Sequence, residues 1–301
     1  MSDSADHIAA RRRLRRRVAF WRIAAILALC AAIGAAGWRF APERDHVARV
    51  EILGVIFDDP VRDDLLREIA EDENARALLV RIDSPGGSVA GSEALFAALR
   101  DVAEAKPVVA VMGEVAASGG YIAALAADHV VARGGTITGS IGVVAEYPNV
   151  EELLGMIGVE VSRVASAPLK AEPSPFRAPT EEAIAAQRLL IEDSYDWFVA
   201  LVAERRGMDA ARARALGDGR VYTGRQAVEN GLIDEIGGEE AAMRWLRAER
   251  GVPDDLPLRD RRPEDGPAEL LDLAFGAQAA ALLARFDAHW AQRPHLRAIL
   301  R

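Results

Sequence analysis

Lys170 is a candidate base because of its residue type and its rarity in this chain. Of the 37 basic side chains, only Lys106 and Lys170 are lysine, and all the others are arginine. Arginine keeps its proton at biological pH, whereas a lysine taken out of water can become neutral and then accept a proton. A lysine in the proline-rich stretch VASAPLKAEPSPF (164–176) therefore indicates a role that arginine could not fill.

Ser118 is a candidate nucleophile because of the glycine-bearing turn around it. The stretches DSPGGSV (83–89) and AASGGYIAALAA (116–127) each follow a predicted strand and open a predicted helix. A nucleophile at 118 would have the Gly119 N–H beside a developing oxyanion, and the Gly87 N–H of the other turn is a second donor. Such donors contribute roughly 3–4 kcal/mol each to the transition state. Either turn alone is also explained by a tight helix start, but two on adjacent strand ends favour a catalytic site.

A serine nucleophile needs a base, and the histidines are poorly placed for this role. Only His129 belongs to the predicted α/β domain, and it lies at a helix-to-strand connection, opposite the strand-to-helix turns. The other histidines are His7, His46, His289 and His295. Ser–Lys pairs are a known variant of Ser–His catalysis, so Lys170 is the better candidate. The alternative is an exposed loop lysine without a catalytic role.

Composition and missing motifs disfavour several other functions. Residues 39–301 hold 30 basic and 44 acidic side chains, which argues against nucleic acid as a partner. The sequence contains no phosphate loop and no His/Glu metal spacing, so we expect neither a metal nor another cofactor. Cys30 is the only cysteine, which excludes an intrachain disulfide.

The N-terminal residues predict a membrane anchor. Residues 1–17 form a basic segment, and 18–38 is an apolar run of 21 residues interrupted only by Arg22. As a helix this run is about 31 Å long, which matches a hydrocarbon core of roughly 30 Å. The arginines at 11–17 favour a cytoplasmic N-terminus, so the rest of the chain is expected outside the cytoplasm. The alternative is a cleavable signal peptide, because AAIGAAG (31–37) is rich in small residues.

Alternating strand-like and helix-like segments predict an α/β fold with a mostly parallel sheet and flanking helices. The predicted strands are 50–56, 77–82, 108–113, 129–132 and 141–146. The predicted helices are 61–71, 92–104, 118–126, 150–158 and 180–206.

The C-terminal part, 251–301, has a different pattern. Residues 251–267 are rich in proline and charge, which indicates a linker. Residues 268–291 then carry an apolar stripe at helical spacing. The stripe fits an amphipathic helix packed on the domain, a subunit contact or a membrane-surface helix. Its members are Leu271, Phe275, Leu282, Phe286 and Trp290.

Taken together, the motifs resemble those of bacterial signal peptide peptidases of the SppA type. They are SPGG (84–87), KPVVAVMGEVAASGGYIAALAADHVVA (106–132), TGSIGV (138–143), a lysine 52 positions after the serine, and GRVYTGRQAVENGLIDEIGG (219–238). The resemblance covers residues 46–250. It implies a serine protease of the ClpP/crotonase-like fold, usually anchored in the membrane with the protease facing away from the cytoplasm, and assembled into rings or domes.

The resemblance also implies roles by position. Ser118 matches the nucleophile, Lys170 the general base, Gly87 and Gly119 the oxyanion donors, and Ser140 a serine that helps to orient the lysine. In some family members the serine and the lysine of one site come from adjacent subunits. The family commonly has a glycine shortly before the lysine and an aspartate directly after it, where this chain has Ala167 and Ala171.

The interpretation that these observations favour is a serine endopeptidase of the bacterial cytoplasmic membrane. We expect the anchor at 18–38 in the lipid bilayer and the protease domain at 46–250 on the periplasmic side. Expected substrates are signal peptides left after signal peptidase and other extended hydrophobic peptides, and the expected state is a homo-oligomer. Two alternatives are a crotonase-type acyl-CoA enzyme, which needs neither Lys170 nor an anchor, and a proteolytically inactive membrane scaffold.

Overall fold

The computed structural model describes residues 20–23, 25–27, 29–30 and 44–262. The chain divides into two compact units, Met1–Arg44 and Asp45–Arg301. In the first unit, the described residues up to Cys30 are helical. No helix among the described residues combines the length and the apolar character that crossing a bilayer requires. The predicted basic segment 1–17 and helix 268–291 lie outside the described residues, as does much of the predicted anchor 18–38.

The described part of the second unit contains one eight-stranded sheet. Its strands are β1 (His46–Ile56), β2 (Ala75–Gly87), β3 (Val108–Ala117), β4 (His129–Ala132), β5 (Ile137–Gly139), β6 (Val221–Thr223), β7 (Glu235–Ile236) and β8 (Leu258–Asp260). Their order is β6-β5-β3-β2-β1-β8, with β4 beside β3 and β7 beside β4. The pairings are parallel, apart from the antiparallel pair of β5 and β6. The carboxyl ends of β2, β3 and β5 therefore meet at one edge, where ligands of parallel sheets usually bind.

Helices pack on both faces of this sheet. They are α1 (Pro60–Glu71), α2 (Val89–Ala105), α3 (Gly119–Leu125), α4 (Glu151–Met156), α5 (Glu181–Arg206), α6 (Ala210–Leu216), α7 (Gly224–Asn230) and α8 (Glu239–Arg250). Successive strand residues point to opposite faces. Leu78 accordingly belongs to a large buried cluster with α1, α2, α3 and α5, whereas Leu79 belongs to a smaller one with α8.

Side-chain caps fix where the helices next to the sheet edge begin. The Ser88 hydroxyl accepts the Gly91 N–H (3.1 Å) at the start of α2. Asp59 accepts the N–H groups of Val61 and Arg62 at the start of α1. Such caps contribute typically about 1 kcal/mol each. Helix α3 differs, because Ser118 precedes it and its hydroxyl caps none of its described N–H groups.

The predicted α/β architecture, with its mostly parallel sheet and flanking helices, is confirmed. The predicted strand 129–132 has the same bounds as β4, while β2 and β3 extend beyond the predicted 77–82 and 108–113. The predicted strand 141–146 is wrong. Ser140 has a φ of 51° and turns the chain out of the sheet. Ile141 then packs in the core and Val144 is exposed, so the apolar run there is not a paired strand.

Residues 251–267, predicted to be a linker, contribute strand β8. This short strand pairs with β1, with Leu258 opposite Val47 and Asp260 opposite Arg49. Arg49 forms ion pairs with Asp260 and with Glu239 of α8. The charged residues of this stretch therefore attach it to the edge of the sheet.

Candidate active site

The two glycine-bearing turns lie side by side at the carboxyl edge of the sheet. Strand β2 ends with Gly86 and Gly87, and Ser118 directly follows β3. The two strands are neighbours, with Ser84 of β2 opposite Ala116 of β3. The structure therefore brings the predicted nucleophile next to the turn that carries a predicted oxyanion donor.

Ser118 has a backbone conformation that is rare for a residue with a side chain. Its φ is 51° and its ψ is −120°. The Ser118 N–H donates to the Gly139 carbonyl (2.8 Å), and the Ser118 carbonyl accepts the N–H groups of Tyr121 and Ile122. Strained conformations of this kind cost about 1–3 kcal/mol and cluster at functional sites. Here the strain presents the hydroxyl at the sheet edge instead of to the following helix.

Glycines around Ser118 leave room for a reacting group. Gly86 has a φ of 110°, and a Cβ added there would lie 2.8 Å from the Gly119 nitrogen and 3.1 Å from the Ser118 Oγ. A Cβ added to Gly119 would lie 3.2 Å from the Gly87 nitrogen. The hydroxyl and the two backbone nitrogens thus converge on one small region. A nucleophile beside two amide donors is the arrangement that acyl transfer requires.

Tyr121 anchors the helix that follows Ser118. The side chain is fully buried, and its hydroxyl donates to the Leu232 carbonyl (2.8 Å). Burial raises the pKa of the Tyr121 phenol, which keeps it neutral and able to donate. All seven residues of α3 are buried. The Gly119 N–H therefore belongs to a firmly held element.

Ser140 and Ser118 directly follow neighbouring strands of the sheet. Gly139 of β5 is opposite Ala117 of β3, and each of the two serines follows one of these paired residues. Ser140 also has a φ of 51°, and its N–H donates to the Arg220 carbonyl (2.9 Å). The two serines therefore leave neighbouring strands with the same unusual φ.

Lys170 is not buried in the described chain, although the sequence led us to expect a buried lysine. It is exposed, in the irregular segment between α4 and α5. The backbone N–H of Lys170 donates to the Ala167 carbonyl (3.2 Å). The next residue, Ala171, has a φ of 61°. Among residues 44–262, no hydrogen bond connects the Lys170 side chain to Ser118. The described residues therefore place Gly87, Gly119, Ser118 and Ser140 at one edge of the sheet, and Lys170 in an exposed loop.

Glu172 is a residue of this loop that the sequence did not point to. Its side chain is only 6% exposed and forms ion pairs with Arg163 and Arg177. The Arg163 Nη1 lies 2.6 Å from the Glu172 Oε1. A buried charge is tolerated only when it is paired, so both arginines hold the loop around this carboxylate. The available signal was one acidic residue between two arginines in a proline-rich stretch.

His129 is not part of this edge, as the sequence indicated. It begins β4, at the end of the strands opposite the one that carries Ser118. Its ring stacks on Trp245, with centroids 4.7 Å apart, and its Nε2 lies 3.5 Å from Glu235. In the described ranges, no group of three or more His, Cys, Asp or Glu residues is arranged to hold a metal ion.

Comparison with known proteins assigns the chain to a family. Residues 100–253 match the family described as Peptidase family S49. The chain belongs to peptidase family S49. The matched range contains Ser118, Ser140 and Lys170, and the protein is a serine peptidase, as the motifs predicted.

Individual relatives extend this match. A Synechocystis sp. protein named as a protease, slr0021, is 39% identical over 225 residues, which cover 73% of this chain and 81% of that protein. An Enterococcus faecium protein named as a signal peptide peptidase, SppA, is 36% identical over 202 residues, or 67% of this chain and 59% of that protein. A solved structure of a ClpP1 mutant from Listeria monocytogenes has a TM-score of 0.43 and 17% identity, over 63% of this chain and 91% of that chain.

Proposed function

We propose that this S49 peptidase is a membrane-anchored endopeptidase that uses a Ser118–Lys170 dyad to cleave signal peptides and other hydrophobic peptides. Gly87 and Gly119 supply the oxyanion donors, and Ser140 helps to orient the lysine. One observation carries the proposal. The strained Ser118 does not cap its helix, and its hydroxyl shares one small region with the Gly87 and Gly119 nitrogens.

The proposed reaction proceeds through an acyl-enzyme. Neutral Lys170 accepts the hydroxyl proton while the Ser118 Oγ bonds to the substrate carbonyl carbon, and the N–H groups of Gly87 and Gly119 hold the resulting oxyanion. When the oxyanion collapses, the C–N bond breaks and the leaving amine takes the proton from the lysine. Water then gives a proton to Lys170 as its oxygen attacks the ester. The second collapse releases the carboxylic acid and returns a proton to Ser118.

The exposure of Lys170 supports a site that a second copy of the chain completes. A lysine in water keeps its proton at neutral pH and is a poor base. The same loop exposes apolar side chains, among them Val164 and Phe176. Exposed apolar surface of this kind is typical of a contact between proteins. In a ring or dome, a neighbouring subunit would cover the loop and bring Lys170 out of water, beside that neighbour's Ser118.

The proposed location is the periplasmic side of the bacterial cytoplasmic membrane. The apolar run 18–38, preceded by six arginines, supports an anchor with its N-terminus inside. An anchored site near the bilayer meets hydrophobic peptides by lateral diffusion, which supports signal peptides as substrates. The parallel sheet with glycine turns at its carboxyl edge supports the ClpP/crotonase-like fold.

Peptide cleavage by the purified full chain tests the proposal. With a hydrophobic signal peptide as substrate, the parent protein should cleave and Ser118→Ala should not. Lys170→Arg should also be inactive, because arginine stays protonated. Lys106→Arg is the matched control and should cleave normally. The Nζ of this second lysine donates to the Ile69 and Asp72 carbonyls, and neither residue belongs to the proposed site.

Other outcomes would contradict the proposal in distinguishable ways. Normal cleavage by Lys170→Arg would remove the proposed base. An inert parent protein that turns over a CoA thioester would favour a crotonase-type acyl-CoA enzyme. A parent protein inert towards both substrates would favour a membrane scaffold without proteolytic activity.

A further inference from the structure

Ser92 lies directly against Gly119, one of the two residues whose backbone amides are proposed to hold the oxyanion. It belongs to the first turn of α2 and is 1% exposed. A Cβ added to Gly119 would lie 2.2 Å from the Ser92 Oγ and 3.2 Å from the Gly87 nitrogen. The hydroxyl and the Gly87 nitrogen therefore approach the same side of Gly119.

The Ser92 hydroxyl is held in this place by its own hydrogen bond. It donates to the Ser88 carbonyl (2.9 Å). Ser88 directly follows Gly87, and its N–H donates to the Ile56 carbonyl of β1 (2.9 Å). One buried side chain thus bonds to the turn that carries Gly87 and packs on the turn that carries Gly119.

Helix α2 does not need this hydrogen bond. The Ser88 carbonyl also accepts the Ser92 N–H (3.0 Å), and the Ser88 hydroxyl caps the helix at Gly91. A serine hydroxyl bonded to the carbonyl four residues earlier slightly destabilises a helix. Helix stability therefore does not explain a hydroxyl at 92, whereas contact with Gly119 does.

We propose that Ser92 is a positioning residue that sets the separation of the Gly87 and Gly119 N–H groups. The proposal rests on the Ser118 mechanism above. Without the hydroxyl, the space against Gly119 is empty and the two turns can move relative to each other. Oxyanion donors act strongly only at about 2.7–3.1 Å from the oxyanion, so a small displacement weakens them. Because the oxyanion forms on the way through the transition state, the loss should fall on kcat and leave KM nearly unchanged.

Steady-state kinetics of Ser92→Ala in the full chain test this role. We expect kcat to fall by about tenfold, less than the 10²–10³ lost when a whole donor is removed. The affinity for a peptide boronic acid, which forms a tetrahedral adduct with a nucleophilic serine, should fall by a similar factor. Ser194→Ala is the matched control, because the Ser194 hydroxyl donates in the same way to the Leu190 carbonyl (3.0 Å) within α5. It should leave kcat, KM and boronic acid affinity as in the parent protein.

A double variant tests whether Ser92 contacts Gly119 directly, as the proposal requires. In Gly119→Ala, the new methyl group collides with the Ser92 Oγ at 2.2 Å. Ser92→Ala removes that atom, and the remaining neighbours stand at 3.2 Å. The double variant Ser92→Ala/Gly119→Ala should therefore cleave faster than Gly119→Ala alone, although Ser92→Ala is harmful by itself. The effect of Ser92→Ala on the cleavage rate would then be harmful in the parent protein and favourable in Gly119→Ala. Such a change of sign requires direct coupling between the two positions.

Contrary results would distinguish a failure of the Ser92 positioning role from a failure of the Ser118 mechanism. Unchanged kcat in Ser92→Ala, or a loss confined to KM or to the thermal unfolding midpoint, would overturn the positioning role. A double variant no more active than Gly119→Ala would do the same. Retained activity in Ser118→Ala would instead overturn the mechanism itself, whatever the Ser92 variants show.

Discussion

Gly86 is the residue at which a side chain would interfere most directly with the proposed nucleophile. Its φ of 110° disfavours any residue with a Cβ, and that Cβ would lie 3.1 Å from the Ser118 Oγ. We therefore expect Gly86→Ala to lower the cleavage rate by about a hundredfold or more, comparable to the loss of an oxyanion donor. Peptide cleavage measured on folded protein checks this prediction.

Gly251→Ala controls for backbone strain in that experiment. Gly251 also has a positive φ, 66°, at the end of α8, but a Cβ there would meet nothing within 4 Å. It should lose some stability and keep its cleavage rate. Equal rates for the two variants would show that Gly86 does not border the reacting group.

Residue types alone pointed to Ser118, Gly87 and Gly119, because short side chains and glycines at strand ends reveal where a backbone must turn sharply. Lys170 stood out by its rarity among arginines. The roles of Glu172 and Ser92 could not be predicted from residue type. A glutamate in a loop and a serine in the first turn of a helix are ordinary in sequence, and only folding brings the first between two arginines and the second against Gly119.

At the scale of elements, an ion pair ties α5 to the strands behind the site. The Arg206 Nη2 lies 2.7 Å from the Asp234 Oδ1, and the Val130 N–H of β4 donates to the other carboxylate oxygen (2.8 Å). Burial alone would raise the pKa of Asp234, but the hydrogen bond and charge of Arg206 outweigh it and lower that pKa below its usual value. The folded state therefore favours the ionised carboxylate.

Asp234→Asn should reduce the free energy of unfolding at pH 7 by about 1–3 kcal/mol, because it weakens a charge-assisted hydrogen bond. A carboxylate with a lowered folded pKa stabilises the fold above its unfolded pKa of roughly 4, and that contribution is lost as the pH falls through the folded value. The difference between parent and variant should therefore shrink from pH 7 to pH 3. Urea unfolding at both pH values measures it.

Asp196→Asn is the control for this pair. Asp196 forms an ion pair with Arg214, but both side chains are more than half exposed, so its loss should change stability little. A stability difference for Asp234→Asn that is the same at pH 7 and pH 3 would contradict the assigned pKa direction.

Elements whose apolar residues recur at regular spacing could be predicted from the sequence. Elements that depend on pairing at the edge of the sheet could not. The strand at 129–132 and the helix at 180–206 follow from apolar spacing and from a threonine cap at Thr180. Strand β8 is short and charged, and it pairs with the edge of β1 that β2 does not occupy. The run 141–146 looked like a strand because Ile141 and its neighbours are apolar, yet the positive φ of Ser140 leads the chain away from the sheet.

At the scale of the whole molecule, the exposed position of Lys170 makes subunit mixing informative. Ser118→Ala and Lys170→Arg chains are each expected to be inactive. If each site combines Ser118 of one subunit with Lys170 of the next around a ring, equal random mixing restores about one site in four. We expect co-expressed variants to recover about a quarter of the parental cleavage rate.

The control for mixing is the same pair of variants combined after separate assembly, which should stay inactive. Co-expressed chains that also stay inactive would show that the lysine reaches the serine of its own subunit. Assembly could not be derived from periodicity, because it depends on which exposed side chains, such as Val164 and Phe176, meet another copy.

Covalent labelling tests most directly whether a neutral lysine activates Ser118. A fluorophosphonate reacts with an activated serine hydroxyl, and mass spectrometry of the digested full chain identifies the modified residue. We predict one adduct, on Ser118, that forms at least about a hundredfold more slowly in Lys170→Arg, in keeping with the contribution of a general base. An adduct on another residue, or equal labelling rates in the parent protein and Lys170→Arg, would contradict the dyad.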